Sequence, residues 1–118
     1  MSHRTSLSLL ALLLYTAGPE AAGFNLQAPG VDRQRFLIHL VRQDCGSCHG
    51  LTLRGGLGPA LTPAALGGKS RDYVAYTILH GRPGSAMPGW SNFLNDGEAE
   101  WIAQRLLDGF PDQNEMLP

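Results

Sequence analysis

One pentapeptide constrains this chain more than any other feature: Cys45-Gly46-Ser47-Cys48-His49. Two cysteines separated by two residues and followed directly by a histidine are typical of covalent haem attachment. The two thiols can add to the two vinyl groups of haem, because one turn of backbone reaches both. The adjacent imidazole can then bind the iron from one face. The sequence therefore predicts one covalently bound haem c, with Cys45 and Cys48 as thioether residues and His49 as an axial ligand.

The cysteine pair alone allows three other interpretations. A thioredoxin-like redox pair normally lies in a strand–helix unit, and no such pattern surrounds Cys45. A zinc site needs further ligands, but the other histidines are scattered without the required spacing. A disulfide between residues so close in sequence would enclose a very small loop. Two cysteines followed directly by a histidine are much more specific than a bare CxxC, so we adopt covalent haem.

Residues 1–23 have the pattern of a cleaved secretory signal peptide. A weakly basic start precedes a short apolar run from Leu7 to Leu14, and small residues follow. The best cleavage site ends at Gly23, with cuts after Gly18 or Ala22 as alternatives. The alternative is an uncleaved membrane anchor, but this run is well short of the roughly 20 apolar residues that a spanning helix needs. We therefore expect no membrane span after signal removal and a periplasmic location, where bacteria attach c-type haem and oxidise thiols.

The charge balance gives no basis for binding nucleic acid or anionic membranes. The formal net charge is −1. The leader contains one basic and one acidic residue, Arg4 and Glu20, so its removal leaves this value unchanged. The length corresponds to one domain, which we place at 24–110, followed by a loose tail at 111–118.

The first of three predicted main helices leads into the pentapeptide. Asp32 is a plausible N-cap, and the helix is expected to reach about Asp44. Apolar residues recur at helical spacing on one face: Phe36, Leu37, Leu40 and Val41.

The other two main helices have clear start and stop signals. Ser70 can cap a helix at 71–80. Asn95 and Glu98 have the spacing of a capping box and predict a helix at 96–108. A glycine follows each helix directly. Glycine- and proline-rich loops connect the helices, with one helical turn expected at 63–66, so the predicted fold class is all-α.

Met87 is the predicted ligand on the face of the haem opposite the histidine. Met1 lies in the leader and Met116 in the tail, whereas Met87 lies in a loop that Pro88 stiffens. His80 is the main rival, and simple packing of Met87 is the other alternative. A neutral thioether favours reduced iron and raises the reduction potential. With both axial positions filled, we expect an electron carrier rather than an enzyme.

Three further residues are candidates for the haem pocket. Pro59 follows the histidine by ten residues and can direct a backbone carbonyl toward the imidazole, which would fix the ring. Arg82 can neutralise a propionate, and Trp90 can touch the haem. The alternatives are an ordinary loop proline, an exposed arginine and a core tryptophan.

The order of these motifs resembles the class I cytochrome c family. A helix is followed by the CxxCH pentapeptide, Gly58-Pro59-x-Leu61, Met87-Pro88 and a closing helix. The resemblance covers nearly all of the chain after the leader. It implies a fold in which the first and last helices cross and three main helices and glycine-rich loops enclose one haem. It also implies His49 and Met87 as axial ligands, with Pro59 supporting the histidine.

A narrower resemblance concerns two longer stretches, CGSCHGLTLRGGLGPALTPAAL and DYVAYTILHGRPGSAMPGW. They are similar to the small periplasmic monohaem cytochromes that denitrifying bacteria encode with nitrite reductase. This resemblance implies redox protein partners: either the dihaem nitrite reductase or the dehydrogenase that completes haem d. The direction of electron flow stays open. A five-coordinate haem sensor or a peroxidase-like enzyme remains a third alternative, and it requires that Met87 does not bind the iron.

Overall fold

The computed structural model describes residues 28–112, and all of its regular elements are helical. In chain order these are α1 (Val31–Leu40), a π-helical segment (Val41–Cys45), α2 (Gly46–His49), α3 (Pro63–Leu66), α4 (Arg71–His80) and α5 (Asp96–Asp108). Since no strand occurs within the described range, the all-α prediction is confirmed. No helix of that range is long and apolar enough to cross a bilayer. The predicted leader at 1–23 and residues 113–118 of the predicted tail lie outside the described residues.

The first helix differs from its prediction at both ends. It begins at Val31, and Asp32 lies in its first turn without a side-chain capping bond. The negative charge of Asp32 interacts favourably there with the helix dipole. At its other end the chain stays helical through the π-helical segment and α2 as far as His49. Phe36 is 49% exposed, so its assignment to the apolar face was wrong. The guanidinium of Arg33 instead lies 4.6 Å from the centre of its ring.

The predicted boundaries of α4 and α5 are confirmed by their capping bonds. The Ser70 hydroxyl accepts a hydrogen bond from the Tyr73 amide at 3.1 Å. The Asn95 side chain accepts from the Glu98 amide at 2.9 Å, and the Glu98 carboxylate accepts from the Asn95 amide at 3.0 Å. These bonds satisfy amides that have no partner within a helix, and they fix where each helix starts.

The hydrophobic core lies where α1, the π-helical segment, α4 and α5 meet. Its largest fully buried side chains are Leu37, Val41 and Ile102. A salt bridge of 2.5 Å between Arg33 and Glu98 also joins α1 to α5. The first and last helices therefore share one core, and this core holds the segment that carries the cysteines.

Candidate haem site

The two cysteines lie one helical turn apart. Cys45 ends the π-helical segment and is half-buried, whereas Cys48 lies on α2 and is exposed. Residues three apart on a helix lie on the same side, and neither cysteine is in a disulfide. Burial, together with the nearby charge of Asp44, raises the pKa of the Cys45 thiol to about 11. Both sulfurs are thus available on one side of the helix, and Cys45 carries its proton at neutral pH.

His49 is the last residue of α2, and its side chain is fixed by one short contact. Its Nδ1 atom lies 2.6 Å from the carbonyl oxygen of Pro59. A carbonyl oxygen can only accept a hydrogen bond, so Nδ1 carries the proton. The lone pair of the neutral ring is then on Nε2, which is the form in which histidine binds a metal.

The loop after His49 folds back onto the end of α2. The carbonyls of Cys48 and His49 have no helical partner, and they accept hydrogen bonds from the Gly58 and Gly55 amides, both at 2.8 Å. Gly58 approaches so closely that a Cβ atom there would lie 2.9 Å from the imidazole ring. This backbone packing presses the loop against the ring and brings the Pro59 carbonyl to Nδ1.

These features fit a covalently bound haem c. Two unpaired thiols lie one turn apart, and the next residue is a buried histidine whose Nδ1 atom is already engaged. A histidine that donates its second ring N–H to a carbonyl has the orientation and basicity of a metal ligand. Residues 28–112 contain no group of three or more His, Cys, Asp or Glu side chains that could hold a metal ion.

Met87 lies in the loop that follows α4, and this loop is anchored to the end of that helix. The side chain of Met87 is half-buried. The last carbonyls of α4 accept hydrogen bonds from three later amides, at 2.8, 3.0 and 3.2 Å: Gly81 to Thr77, Trp90 to Ile78 and Ser91 to Leu79. A Cβ atom at Gly81 would lie 2.5 Å from the Met87 carbonyl oxygen. The backbone around Met87 is therefore packed directly against the helix end.

The other predicted site residues have partners within the protein. The ring of His80 lies 4.3 Å from that of Tyr76, and His80 is exposed. Arg82 is exposed and donates a hydrogen bond to the Tyr73 hydroxyl at 3.0 Å. Trp90 is half-buried and packs against the core. The proposed contacts of Arg82 and Trp90 with haem stay predictions.

Arg42 is a structural residue that the sequence reasoning missed. It lies on the π-helical segment and is 7% exposed. Its guanidinium donates to the carbonyl oxygens of Leu51, Phe110 and Pro111 at 3.3, 3.3 and 2.7 Å. One signal was available, because Arg42 follows Ile38 by four positions and so continues an apolar stripe.

A cavity of about 500 Å³ adjoins Arg42. Its lining includes Leu53, Arg54, Leu61 and Phe110, but it does not include the cysteines, His49 or Met87. This cavity lies between the loop after His49 and the segment after α5, so it is separate from the candidate haem site.

Comparison with known proteins agrees with this site. The family described as "Cytochrome C oxidase, cbb3-type, subunit III" matches residues 38–104. Cytochrome c55X of Stutzerimonas stutzeri is 49% identical over 108 residues, which cover 92% of this chain and 90% of that protein. The solved structure of the c-type cytochrome NirC is 51% identical with a TM-score of 0.68, and the match covers 76% of this chain and all of that one.

A further relative is a larger protein. Dihydro-heme d1 dehydrogenase of Pseudomonas aeruginosa is 38% identical over 72 residues, which cover 61% of this chain and 15% of that enzyme. This similarity is weaker and partial. The likeness to NirC and cytochrome c55X supports electron transfer in denitrification as the function. From its matches and its CxxCH helix, the chain belongs to the c-type cytochromes, with haem c covalently bound as cofactor.

Proposed function

We propose that this chain is a periplasmic monohaem electron carrier in which His49 and Met87 are the axial ligands. The observation that carries the proposal is the contact of 2.6 Å between His49 Nδ1 and the Pro59 carbonyl oxygen. This contact directs the proton to Nδ1 and leaves Nε2 as an iron ligand. The predicted leader at 1–23 and the covalent haem support the periplasmic location.

Three observations support Met87 as the second ligand. It is the one methionine among residues 28–112, and its side chain is half-buried. The loop that carries it is anchored to the end of α4 by backbone hydrogen bonds. Its rival His80 is exposed and packs its ring against Tyr76.

The chain's own residues bind and orient the cofactor in this proposal. Cys45 and Cys48 hold it covalently, and His49 is kept in one orientation by Pro59. When bound, haem c supplies an iron that changes between the ferrous and ferric states. With both His49 and Met87 bound to the iron, no position would remain open for a substrate, and the protein would act as an electron carrier.

For the partner we propose the dihaem nitrite reductase of denitrification. The two long stretches around the CxxCH motif and Met87 resemble cytochromes that denitrifying bacteria encode with nitrite reductase, and this supports nitrite reductase as a partner. A second candidate is the enzyme that dehydrogenates the haem d precursor, with this chain as electron acceptor. The observation that favours it is the partial likeness to dihydro-heme d1 dehydrogenase, which shows that such an enzyme contains a region similar to this chain.

The axial ligands can be tested with absorption spectra of the holoprotein. We expect oxidised parent protein to show a weak far-red band from thioether–iron coordination, and Met87→Ala to lack it. His80→Ala is the matched control and should retain the band. A high-spin spectrum of the parent, or an unchanged band in Met87→Ala, would remove Met87 as ligand and favour an open haem site.

The partner can be tested by rapid mixing with each candidate. Reduced holoprotein is mixed with oxidised nitrite reductase, and oxidised holoprotein with the dehydrogenase and its substrate. We expect the faster electron exchange with nitrite reductase. Faster reduction of the holoprotein by the dehydrogenase would assign the chain to haem d maturation. Equally slow electron exchange with both enzymes would contradict both proposed partners.

A further inference from the structure

The loop between α4 and Met87 is closed at its base by backbone hydrogen bonds. The Arg82 amide donates to the Met87 carbonyl oxygen at 3.2 Å. Within the loop, the Ser85 amide donates to the Arg82 carbonyl at 3.0 Å. Pro83 and Gly84 occupy the central positions of this turn, and Gly84 has a φ of +79°. Proline followed by a residue of positive φ is the pattern of a type II turn.

The hydroxyl of Ser85 links the two ends of this loop. It donates a hydrogen bond to the Arg82 carbonyl oxygen at 2.7 Å. It also accepts one from the Met87 amide at 3.3 Å. The Met87 backbone is therefore fixed on both sides, through its carbonyl by Arg82 and through its amide by Ser85. The described contacts give this hydroxyl no other partner within residues 28–112.

We propose that Ser85 is a positioning residue for Met87, whose hydroxyl stabilises the loop conformation in which the thioether is held on the iron. The inference rests on the proposed function, because it takes Met87 as the distal ligand. Ser85 itself does not touch the cofactor in this proposal. It acts by restricting the backbone from which the Met87 side chain extends.

The physical consequence is a shift between two populations. An external ligand such as imidazole can bind the iron only when the Met87 sulfur has left it. The apparent affinity for imidazole is therefore the intrinsic affinity multiplied by the fraction of molecules in the open state. If the hydroxyl is removed, the closed loop is destabilised and the open fraction rises.

The experiment measures imidazole binding to the oxidised holoprotein, together with the far-red thioether–iron band. In Ser85→Ala we expect imidazole to bind about fivefold to tenfold more tightly, which corresponds to the loss of one or two modest hydrogen bonds. The band should persist in the absence of imidazole. Ser91→Ala is the matched control, because the contact of Ser91 with α4 uses its backbone amide.

A second pair of variants separates the hydroxyl from side-chain shape. Ser85→Thr keeps a hydroxyl and should bind imidazole like the parent. Valine has nearly the same shape as threonine but no hydroxyl, so Ser85→Val should behave like Ser85→Ala. This pair also tests the proposal if Ser85→Ala does not assemble.

The outcomes distinguish the inference from the proposed function. If Ser85→Ala and Ser85→Val bind imidazole like the parent while Met87→Ala loses the band, Met87 is the ligand and the inference about Ser85 is overturned. If Met87→Ala leaves both the band and imidazole affinity unchanged, the proposed function and the inference fail together. The inference is supported if imidazole binds more tightly to Ser85→Ala and Ser85→Val but not to Ser85→Thr or Ser91→Ala.

Discussion

Gly58 shows how a single missing side chain shapes the proximal side of the candidate site. Its amide bonds to the Cys48 carbonyl, and its backbone packs against the His49 ring. A Cβ atom at this position would lie 2.9 Å from two atoms of the imidazole. The need for glycine therefore comes from close packing against the histidine.

We expect Gly58→Ala to weaken both the fold and the orientation of His49. The added methyl group must displace the ring or the loop, and overpacking of this kind costs roughly 1–3 kcal/mol of unfolding free energy. Urea unfolding of the holoprotein measures this loss. The reduction potential should also change, because a displaced ring disturbs the contact between Nδ1 and Pro59.

The neighbouring residue provides the control for this substitution. Leu57 is 95% exposed, so Leu57→Ala should alter the unfolding free energy by less than about 0.5 kcal/mol. Equal stability and equal potential of the Gly58→Ala protein and the parent would show that the ring does not depend on this close approach.

At the scale of the elements, Glu98 links the start of α5 to α1. Its carboxylate accepts from the Asn95 amide within the capping box and also pairs with Arg33. The side chain of Glu98 is 11% exposed. The hydrogen bond from Arg33 is the main cause that holds the pKa of Glu98 below its ordinary value of 4.5. One carboxylate thus stabilises a helix start and the contact between two helices.

This lowered pKa predicts a stability that depends on pH. Since the folded protein binds the proton of Glu98 less readily than the unfolded chain, the stabilisation is fully present above pH 4.5. It is lost as the pH falls through the lower pKa of the folded state. We expect Glu98→Gln to reduce the unfolding free energy at neutral pH by about 1 kcal/mol and to flatten its decline in acid. Urea unfolding across the acidic range measures both effects.

Arg33→Met and the double variant test the origin of this effect. If the pair with Arg33 is responsible, Arg33→Met should flatten the acid decline too, and the double variant should add little to either single change. Fully additive effects would instead mean that Glu98 acts through the capping box alone.

The elements differ in how far the sequence alone predicted them. The starts of α4 and α5 were predictable, because a cap is a contact between residues three positions apart. The start of α1 was not, since the helix begins after Gly30 and Asp32 has no capping bond. The π-helical segment Val41–Cys45 was also missed. A π-helical segment of five residues is too short to change the spacing of apolar residues from which a helix is predicted.

The features of the candidate site also differ in how far the sequence alone predicted them. The CxxCH motif and the contact of its histidine with Pro59 could be anticipated, because the two residues are only ten positions apart in the sequence. The hydroxyl of Ser85 and the close packing of Gly58 could not be predicted. Both depend on loop conformations in which individual atoms meet, and composition shows only that these loops are rich in glycine and proline.

At the scale of the whole molecule, Arg42 joins three segments of the chain, one of them distant in sequence. It lies on the helical segment before the cysteines and bonds to Leu51, which follows His49. It also bonds to Phe110, which is 68 residues further along the chain. Its guanidinium lies 5.3 Å from the centre of the Phe110 ring. A single buried cation therefore fixes the segment after α5 against the segment that carries the haem residues.

We expect Arg42→Met to destabilise the holoprotein by about 2–4 kcal/mol, because three carbonyl groups lose the charged donor that the buried guanidinium provides. Methionine retains apolar volume, so the loss reports mainly on the hydrogen bonds. Urea unfolding gives the free energy, and hydrogen exchange should show faster opening of residues 109–112. Arg54→Met is the matched control: Arg54 lines the same cavity but is exposed, and its replacement should cost less than about 0.5 kcal/mol. Similar losses in the two variants would mean that the general positive charge at the cavity matters, and that Arg42 does not bind the segment after α5 to the haem segment.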